Sequence, residues 1–357
     1  MPLDKQGNIQ RPLMTSMYLE ETAAPSKKKA KQRFRIFRLL GGFVWRLVRG
    51  VLRFLTYDPL RRKLRIEDGN AFTRFIKGLF YRLAFVPVLL AGLICLMVYQ
   101  ATHPRHTTME ADPGIVDVYY EAVTFMTSDN VRLEGALYPV LDAKQVLLEK
   151  EQVLRKRYPA VVLVHDLGMR KDQMLPLVRP LHESGFVVLA MNLRGNGGSG
   201  AAGQTFGLRE ALDVKAAVEM LRRKSFVDGA RITVVGAGTG GTAALINAKT
   251  DPAVAAIVVA DPIRSVETLL DGRLAPRHEL FTWMRPLCKW TFEFAYQSDI
   301  DDVNWNEFDV VRLTRPVLVV GEEGGHTDFS RRKHVEEIRS FLVQQVISPK
   351  LPVASGR

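Results

Sequence analysis

Cysteine is scarce in this sequence of 357 residues, which contains only Cys95 and Cys288. Cys95 lies in an apolar run and Cys288 lies far along the chain, so we expect no structural disulfide. Acidic residues are scarce in one region: residues 27–82 carry 17 Lys or Arg against three acids. Residues 1–26 and 83–357 each sum to a net charge of −1. The net charge of +12 therefore belongs to an N-terminal arm, which precedes a near-neutral globular region.

Large apolar residues and arginines alternate in this basic arm. Residues 1–26 are polar and mixed in composition, and we expect them to be disordered. Residues 27–78 are predicted to be a basic amphipathic juxtamembrane region, with a helix over residues 34–55. Its five arginines fall within an arc of about 80° on one helical face, which is typical of a helix on an anionic membrane surface. Packing of this helix on the protein itself is the alternative, and we expect no nucleic-acid partner because no recognition motif accompanies the charge.

Charge is absent from Leu83 to Tyr99, and the apolar residues before Arg82 extend this run. The run is long enough to span a bilayer, so residues 79–100 are predicted to be a transmembrane helix, a buried core helix being the alternative. No cleavage site for a signal peptidase follows the run. Basic residues are dense before the run and sparse after it. This asymmetry predicts a single-pass protein of the cytoplasmic (inner) membrane, with a cytoplasmic N-terminus and an extracytoplasmic C-terminal domain.

Short apolar strands alternate with helices over residues 116–347, after a linker at 101–115 and before a tail at 348–357. This alternation predicts an α/β domain with a mostly parallel, doubly wound sheet. Residues 262–312 are rich in aromatic residues and are predicted to form a lid. Its aromatic residues would either line an apolar pocket or pack on the sheet (Phe281, Trp283, Trp290, Phe292, Phe294 and Tyr296).

A strand, a glycine turn and a helix follow one another in RITVVGAGTGGTAAL, residues 231–245. In one class of protein this pattern places a nucleophilic serine at the turn, as G-x-S-x-G. In another it binds a pyrophosphate, as G-x-G-x-x-G, and Gly236, Gly238 and Gly241 fit that spacing. Asp261 follows the next strand, where a ribose-binding acid would stand.

The surrounding motifs favour the first class. An opening hairpin, a strand ending in His165-Asp166, a strand ending in NLRGNGGS and the glycine turn occur in that order. In this order they resemble the α/β-hydrolase superfamily of serine hydrolases, which includes esterases and serine aminopeptidases. The resemblance covers roughly residues 116–345 and implies an α/β-hydrolase-like fold with a helical lid. The transmembrane helix predicted from the apolar run precedes this fold.

The resemblance also implies where the catalytic groups should be, and several of these positions are altered. The nucleophile position holds Gly238, which has no side chain. Thr239 is the nearest hydroxyl, for which capping of the helix is the alternative role. The acid position falls at Gly324, with Glu323 close by, and His326 is the best candidate for the base. His165 and Asp166 resemble the oxyanion turn, in which Asp166 replaces the usual glycine.

These departures predict a membrane-anchored protein whose domain is non-catalytic and has a binding or scaffolding role. The partners expected are membrane lipid, through residues 34–55 and 79–100, and an apolar small ligand or a protein. An active esterase or peptidase that uses Thr239, or His326 with Glu323, is the alternative. A dinucleotide-binding protein is the second alternative. We expect neither a cofactor nor a metal ion.

Overall fold

A computed structural model describes residues 71–103, 111–140, 156–251, 254–274, 283–303, 313, 315–321 and 327–348. The chain divides into two compact units, residues 1–89 and 90–357. The predicted disordered segment at 1–26 and the predicted basic helix at 34–55 lie outside the described residues, as do Glu323 and His326.

The first helix, α1, extends over Ala71–Thr102 and contains the predicted transmembrane segment. Its residues Leu83–Thr102 are long and apolar enough to cross a bilayer, by length and composition. Pro87 lies inside this helix. The helix ends two residues beyond the predicted span of 79–100, so the predicted linker at 101–115 begins within its last turn.

In the described part of the chain, seven strands form one sheet in the order β1-β2-β4-β3-β5-β6-β7. Strands β1 and β2 are antiparallel to each other, β2 is antiparallel to β4, and the remaining neighbours are parallel. The predicted mostly parallel sheet is therefore confirmed. The strands are β1 (Glu121–Met126), β2 (Arg132–Tyr138), β3 (Tyr158–Val164), β4 (Val187–Asn192), β5 (Val227–Ala237), β6 (Val254–Ala260) and β7 (Val317–Val320).

Helices cover both faces of the sheet, which explains why β3 and β4 are buried along their whole length. After α1 the helices are α2 (Leu175–Glu183), α3 (Glu210–Arg222), α4 (Gly238–Thr250), α5 (Val266–Leu274), α6 (Arg285–Tyr296) and α7 (Arg332–Leu342). Short 3₁₀ turns occupy Pro113–Val116, Lys171–Met174 and Ile300–Asp302, and a π-helical turn at Val343–Ile347 follows α7.

Side chains alternate along each strand between two apolar cores. Val162 and Val164 of β3 belong to one core, which includes residues of α3, α4 and α6. Val161 and Leu163 belong to the other core, which includes residues of α2 and α7. The predicted strand pattern and the layered architecture follow from this burial on both sides of one sheet.

Candidate active site

The glycine turn lies at the carboxyl end of β5, between β3 and β6. Strand β5 ends at Ala237 and α4 begins at Gly238, whose φ of 47° lies in the left-handed region. A Cβ atom at Gly240 would overlap the carbonyl oxygens of Val164 and His165, so the helix can approach β3 this closely only without a side chain there. The sharp strand-to-helix turn that α/β hydrolases use to present a nucleophile is therefore present. We call residues 236–241 the elbow.

The side chain of Asp166, which follows β3, reaches the first turn of α4. Its Oδ1 atom accepts hydrogen bonds from the amide of Thr239 at 2.8 Å and from its neighbour Leu167 at 2.6 Å. One of these amides follows the nucleophile position, and the other belongs to the loop after β3. These are the two positions from which this fold takes its oxyanion-binding amides. An oxygen of the protein's own carboxylate thus occupies the place where a substrate oxyanion would bind.

Gly238 and Asp166 fit each other sterically. A Cβ atom built on Gly238 would overlap the carboxyl group of Asp166. A serine at position 238 is therefore incompatible with the observed position of Asp166. The two departures from the family pattern, which look independent in the sequence, form a single packed arrangement.

His165 is fully buried and both of its ring nitrogens are engaged. Its Nε2 atom accepts a hydrogen bond from the amide of Leu193 at 3.0 Å, and its Nδ1 atom lies 2.7 Å from the carbonyl oxygen of Asp166. Because Nε2 accepts, Nδ1 carries the proton and donates it to that carbonyl. Burial lowers the pKa of His165 to about 4, so the ring is neutral at pH 7. This histidine connects the loop after β3 to the turn after β4.

The turn after β4 is held by a buried ion-pair network that sequence reasoning did not identify. Arg194 binds Asp213 through Nε and Nη2 at 2.9 and 2.6 Å, and binds Asp129 through Nη1 at 2.8 Å. Burial by itself raises the pKa of Asp129, but the hydrogen bonds from Arg194 and Thr127 outweigh it and hold this pKa at about 2. Asp129 lies 65 residues from Arg194 in sequence, so no local sequence pattern predicts this network.

Thr239 is buried, and its hydroxyl has no hydrogen-bond partner among the described residues. The N-cap of α4 is Ala237, with no side-chain cap, so the helix-capping role expected for Thr239 is wrong. The negative group at this helix terminus comes instead from Asp166, on a different loop. Such a charge interacts favourably with the amide groups of a helix N-terminus.

The predicted base and acid, His326 and Glu323, belong to a segment outside the described residues. The chain on its far side is anchored near the carboxyl end of β6. Both the amide and the hydroxyl of Thr327 donate to Asp261 Oδ2, at 2.5 and 2.6 Å. Asp261 therefore holds Thr327 in place, directly after the segment that contains His326.

The same geometry bears on the dinucleotide alternative. A pyrophosphate bound to G-x-G-x-x-G uses the amides at the N-terminus of the following helix. At α4 the amide of Thr239 already binds Asp166, and Asp261 is engaged by Thr327. Both features that suggested a dinucleotide are used within the protein.

The aromatic residues of the lid divide into two sets. Phe292 is buried and Tyr296 is half-buried. Trp283, Trp290 and Phe294 are 57%, 64% and 74% exposed, so for these three the expectation of lining a pocket or packing on the sheet is wrong. Phe281 lies outside the described residues.

Comparison with known proteins agrees with this architecture. The model of the alpha/beta hydrolase family matches residues 161–345, which is more than half of the chain, and the protein belongs to that family. No curated protein sequence matches the chain.

Among solved structures, similar ones include the esterase Pf2001 of Pyrococcus furiosus, at 19% identity and a TM-score of 0.47 over 68% of this chain and 99% of that one. The alpha/beta hydrolase GrgF of Penicillium sp. sh18 shows 18% identity and a TM-score of 0.45, over 64% of this chain and 100% of that one. The hypothetical protein PA2218 of Pseudomonas aeruginosa shows 16% identity and a TM-score of 0.46, over 68% and 100%.

Proposed function

We propose that this protein is a membrane-anchored α/β-hydrolase-like protein without serine-hydrolase activity, whose domain has a binding or scaffolding role. The observation that carries the proposal is the position of Asp166 Oδ1 on the amides of Thr239 and Leu167. Gly238 adds to it, because the nucleophile position has no side chain.

Acyl transfer on this fold needs a nucleophile on the elbow and free amides that stabilise the developing oxyanion. Gly238 cannot supply the nucleophile. The carboxyl group of Asp166 holds the two amides and occupies the place of an oxyanion. A substrate carbonyl could enter only by displacing the two hydrogen bonds to this carboxyl oxygen.

One observation favours the alternative of an active enzyme. The hydroxyl of Thr239 is buried without a partner among the described residues, next to the elbow. Catalysis by this hydroxyl would need a base such as His326 within hydrogen-bond reach. The described histidines do not supply one: His165 is committed at both nitrogens, and no hydrogen bond joins Thr239 to His103, His182 or His334 in the described part of the chain.

A fluorophosphonate probe on detergent-solubilised full-length protein separates the two hypotheses. We expect no labelling of the wild-type protein. The decisive variants are Thr239→Ala and the matched control Ser199→Ala, whose hydroxyl donates to the carbonyl oxygen of Asn192. Wild-type labelling that Thr239→Ala abolishes and Ser199→Ala leaves intact would overturn the non-catalytic proposal.

The anchoring part of the proposal is supported by the composition of α1 and by the charge asymmetry around it. Arg74, Lys77 and Arg82 precede the apolar stretch, and Arg105 is the first lysine or arginine after it. This distribution favours a cytoplasmic N-terminus. Trypsin added outside intact spheroplasts should therefore degrade the C-terminal domain while an N-terminal tag survives. Complete protection of the domain in spheroplasts, together with its degradation in inverted vesicles, would show the opposite orientation and contradict the proposal.

A further inference from the structure

Exposed large apolar side chains are concentrated on two helices. Of the 17 in the described part of the chain, eight belong to α1, three to the lid helix α6 and one to the turn just before α6. These last four are Trp283, which precedes the helix, and Leu287, Trp290 and Phe294 on the helix itself. A patch of this kind on a folded domain marks an interaction surface.

The lid helix has two apolar faces. Met284, Cys288 and Phe292 recur at intervals of four residues and belong to the core of the domain. Trp283, Leu287, Trp290 and Phe294 fall within an arc of about 60° whose centre lies about 130° around the helix from that inner side. The rings of Trp290 and Phe294 stack with centroids 5.7 Å apart. We call this exposed set the lid stripe. The core is already filled from the inner side of the helix, so the lid stripe has no packing role within the described domain.

The second half of α1 is divided in the same way. Ile94, Val98 and Ala101 are buried and belong to the same core as the inner side of α6. Leu93, Leu96 and Tyr99 are 40%, 51% and 58% exposed. Over these turns, therefore, α1 has the domain on one side and an uncovered apolar surface on the other.

The end of α1 is attached directly to the lid helix. The hydroxyl of Tyr296, in the last turn of α6, donates to Thr102 Oγ1 at 2.8 Å. The amide of Gln204 donates to the carbonyl oxygen of Thr102 at 2.8 Å. Thr102 is fully buried. The domain is thus joined to the end of α1 by a buried, hydrogen-bonded junction. If α1 spans a bilayer, this junction restricts how deep in the bilayer the lid helix can lie.

The length of the apolar stretch sets that depth. A bilayer core of about 30 Å requires about 20 helical residues, and Leu83–Thr102 supplies 20. Arg82 prevents the span from shifting toward the N-terminus. Ile94 lies about 12 Å from Thr102 along the helix axis. The domain residues that cover Ile94 therefore lie at the depth of the outer half of the bilayer.

We infer that the lid stripe contacts the membrane, with α6 lying at the boundary between headgroups and acyl chains. This inference rests on the membrane anchoring proposed above. Tryptophan is favoured at that boundary, and an apolar helical face beside charged residues suits it. The lid of this protein then serves as a second point of membrane attachment, next to the transmembrane helix.

The opposite side of the domain has a different surface. Helix α7 covers the other core and exposes Arg332, Lys333 and Glu337. These charged residues are suited to water. The domain is therefore polarised, with the lid stripe on the side of the sheet whose core includes residues of α1 and α6.

Tryptophan fluorescence in full-length protein, reconstituted into nanodiscs of brominated phosphatidylcholine and phosphatidylglycerol, tests the inference. A background in which the three other tryptophans, Trp45, Trp283 and Trp305, are replaced by phenylalanine leaves Trp290 as the single reporter of the lid stripe. Two matched controls carry a single tryptophan elsewhere: Val88→Trp within the apolar helix and Glu337→Trp on α7. We expect Trp290 to lose emission in brominated discs, to an extent closer to Val88→Trp than to Glu337→Trp.

The outcomes separate the lid inference from the anchoring proposal. Quenching of Val88→Trp without quenching of Trp290 overturns the lid inference and leaves the anchor in place. Absence of quenching in both shows that the anchoring proposal itself has failed. Blue-shifted emission of Trp290 without quenching would mean that a second copy of the chain, not lipid, covers the lid stripe, and this also overturns the inference.

Discussion

Asp166 Oδ1 lies 2.8 Å from the amide nitrogen of Thr239, and the same carboxyl group fills the space that a side chain at Gly238 would need. The absence of a side chain at Gly238 and the presence of a carboxyl group at Asp166 are therefore structurally coupled. Either change alone would leave a defect. With Gly238 alone, the helix N-terminus would lack a negative partner, and with Asp166 alone, a serine at 238 would collide with it.

This coupling predicts non-additive stability. Gly238→Ala should cost about 2 kcal/mol or more, because it adds both a strained positive φ and an overlap with Asp166. In an Asp166→Gly background the overlap disappears, and only the cost of φ, about 1 kcal/mol, should remain. The difference is measured by a double-mutant cycle, in which the wild-type protein, the two single variants and the double variant are unfolded with denaturant in detergent. Additive free energies would contradict the proposed coupling.

A second double variant tests whether the rest of the site survives. In Gly238→Ser/Asp166→Gly, a hydroxyl returns to the elbow and the amides of Thr239 and Leu167 are released. If the segment that contains His326 retains a base, the double variant should hydrolyse a p-nitrophenyl ester faster than Gly238→Ser alone. Equal rates at the background level would show that the base or the acid is absent as well.

The buried ring of His165 predicts sensitivity to acid. Its folded-state pKa of about 4 lies below the ordinary value of 6.5, so below pH 6.5 the unfolded chain binds a proton that the folded chain does not. Above pH 6.5 the histidine is neutral in both states, and the unfolding free energy is unaffected by its titration. As the pH falls from 6.5 toward 4, protonation of His165 in the unfolded chain lowers the unfolding free energy by about 3 kcal/mol in total. His165→Gln should flatten the dependence of the unfolding free energy on pH in this window. An unchanged slope would contradict this assignment.

The ion-pair network around Arg194 predicts a large effect of one substitution. Arg194→Met leaves the carboxyl group of Asp213 buried without its cation and should destabilise the domain by about 3–5 kcal/mol. Arg209→Met is the matched control, since Arg209 reaches Asp129 only at 3.4 Å and is about one-third exposed. Its expected cost is below about 1 kcal/mol. Similar melting temperatures for the two variants would argue against a structural role for the buried pair.

The junction between α1 and the lid helix predicts a local change in dynamics. Tyr296→Phe removes the hydrogen bond to Thr102 and should cost about 1 kcal/mol. Amide exchange in α6 should accelerate, whereas exchange in α7 should not change. Tyr119→Phe, at a position that is 68% exposed, serves as the control. Uniform acceleration in both helices would indicate global destabilisation instead of release of the lid.

Much of the fold could be predicted because its signals are local. The apolar runs of β3, β4 and β6 and the glycines of the elbow indicate buried parallel strands and a sharp turn, and the structure has both. The burial of Thr102 against Tyr296 could not be predicted, because these residues are 194 positions apart. The outward direction of the lid stripe was also missed, because an aromatic segment alone does not indicate which face packs.

The sequence by itself determined the α/β fold, the apolar helix and the absence of a nucleophile at Gly238, since each depends on neighbouring residues and their period along the chain. Only the tertiary structure decided which side chain lies against Gly238. Asp166 and Thr239 lie 73 residues apart, and they meet because β3 and β5 are adjacent parallel strands whose carboxyl ends open at the same edge of the sheet. The elbow holds an internal carboxylate because strand order, not sequence spacing, determines which loops face one another.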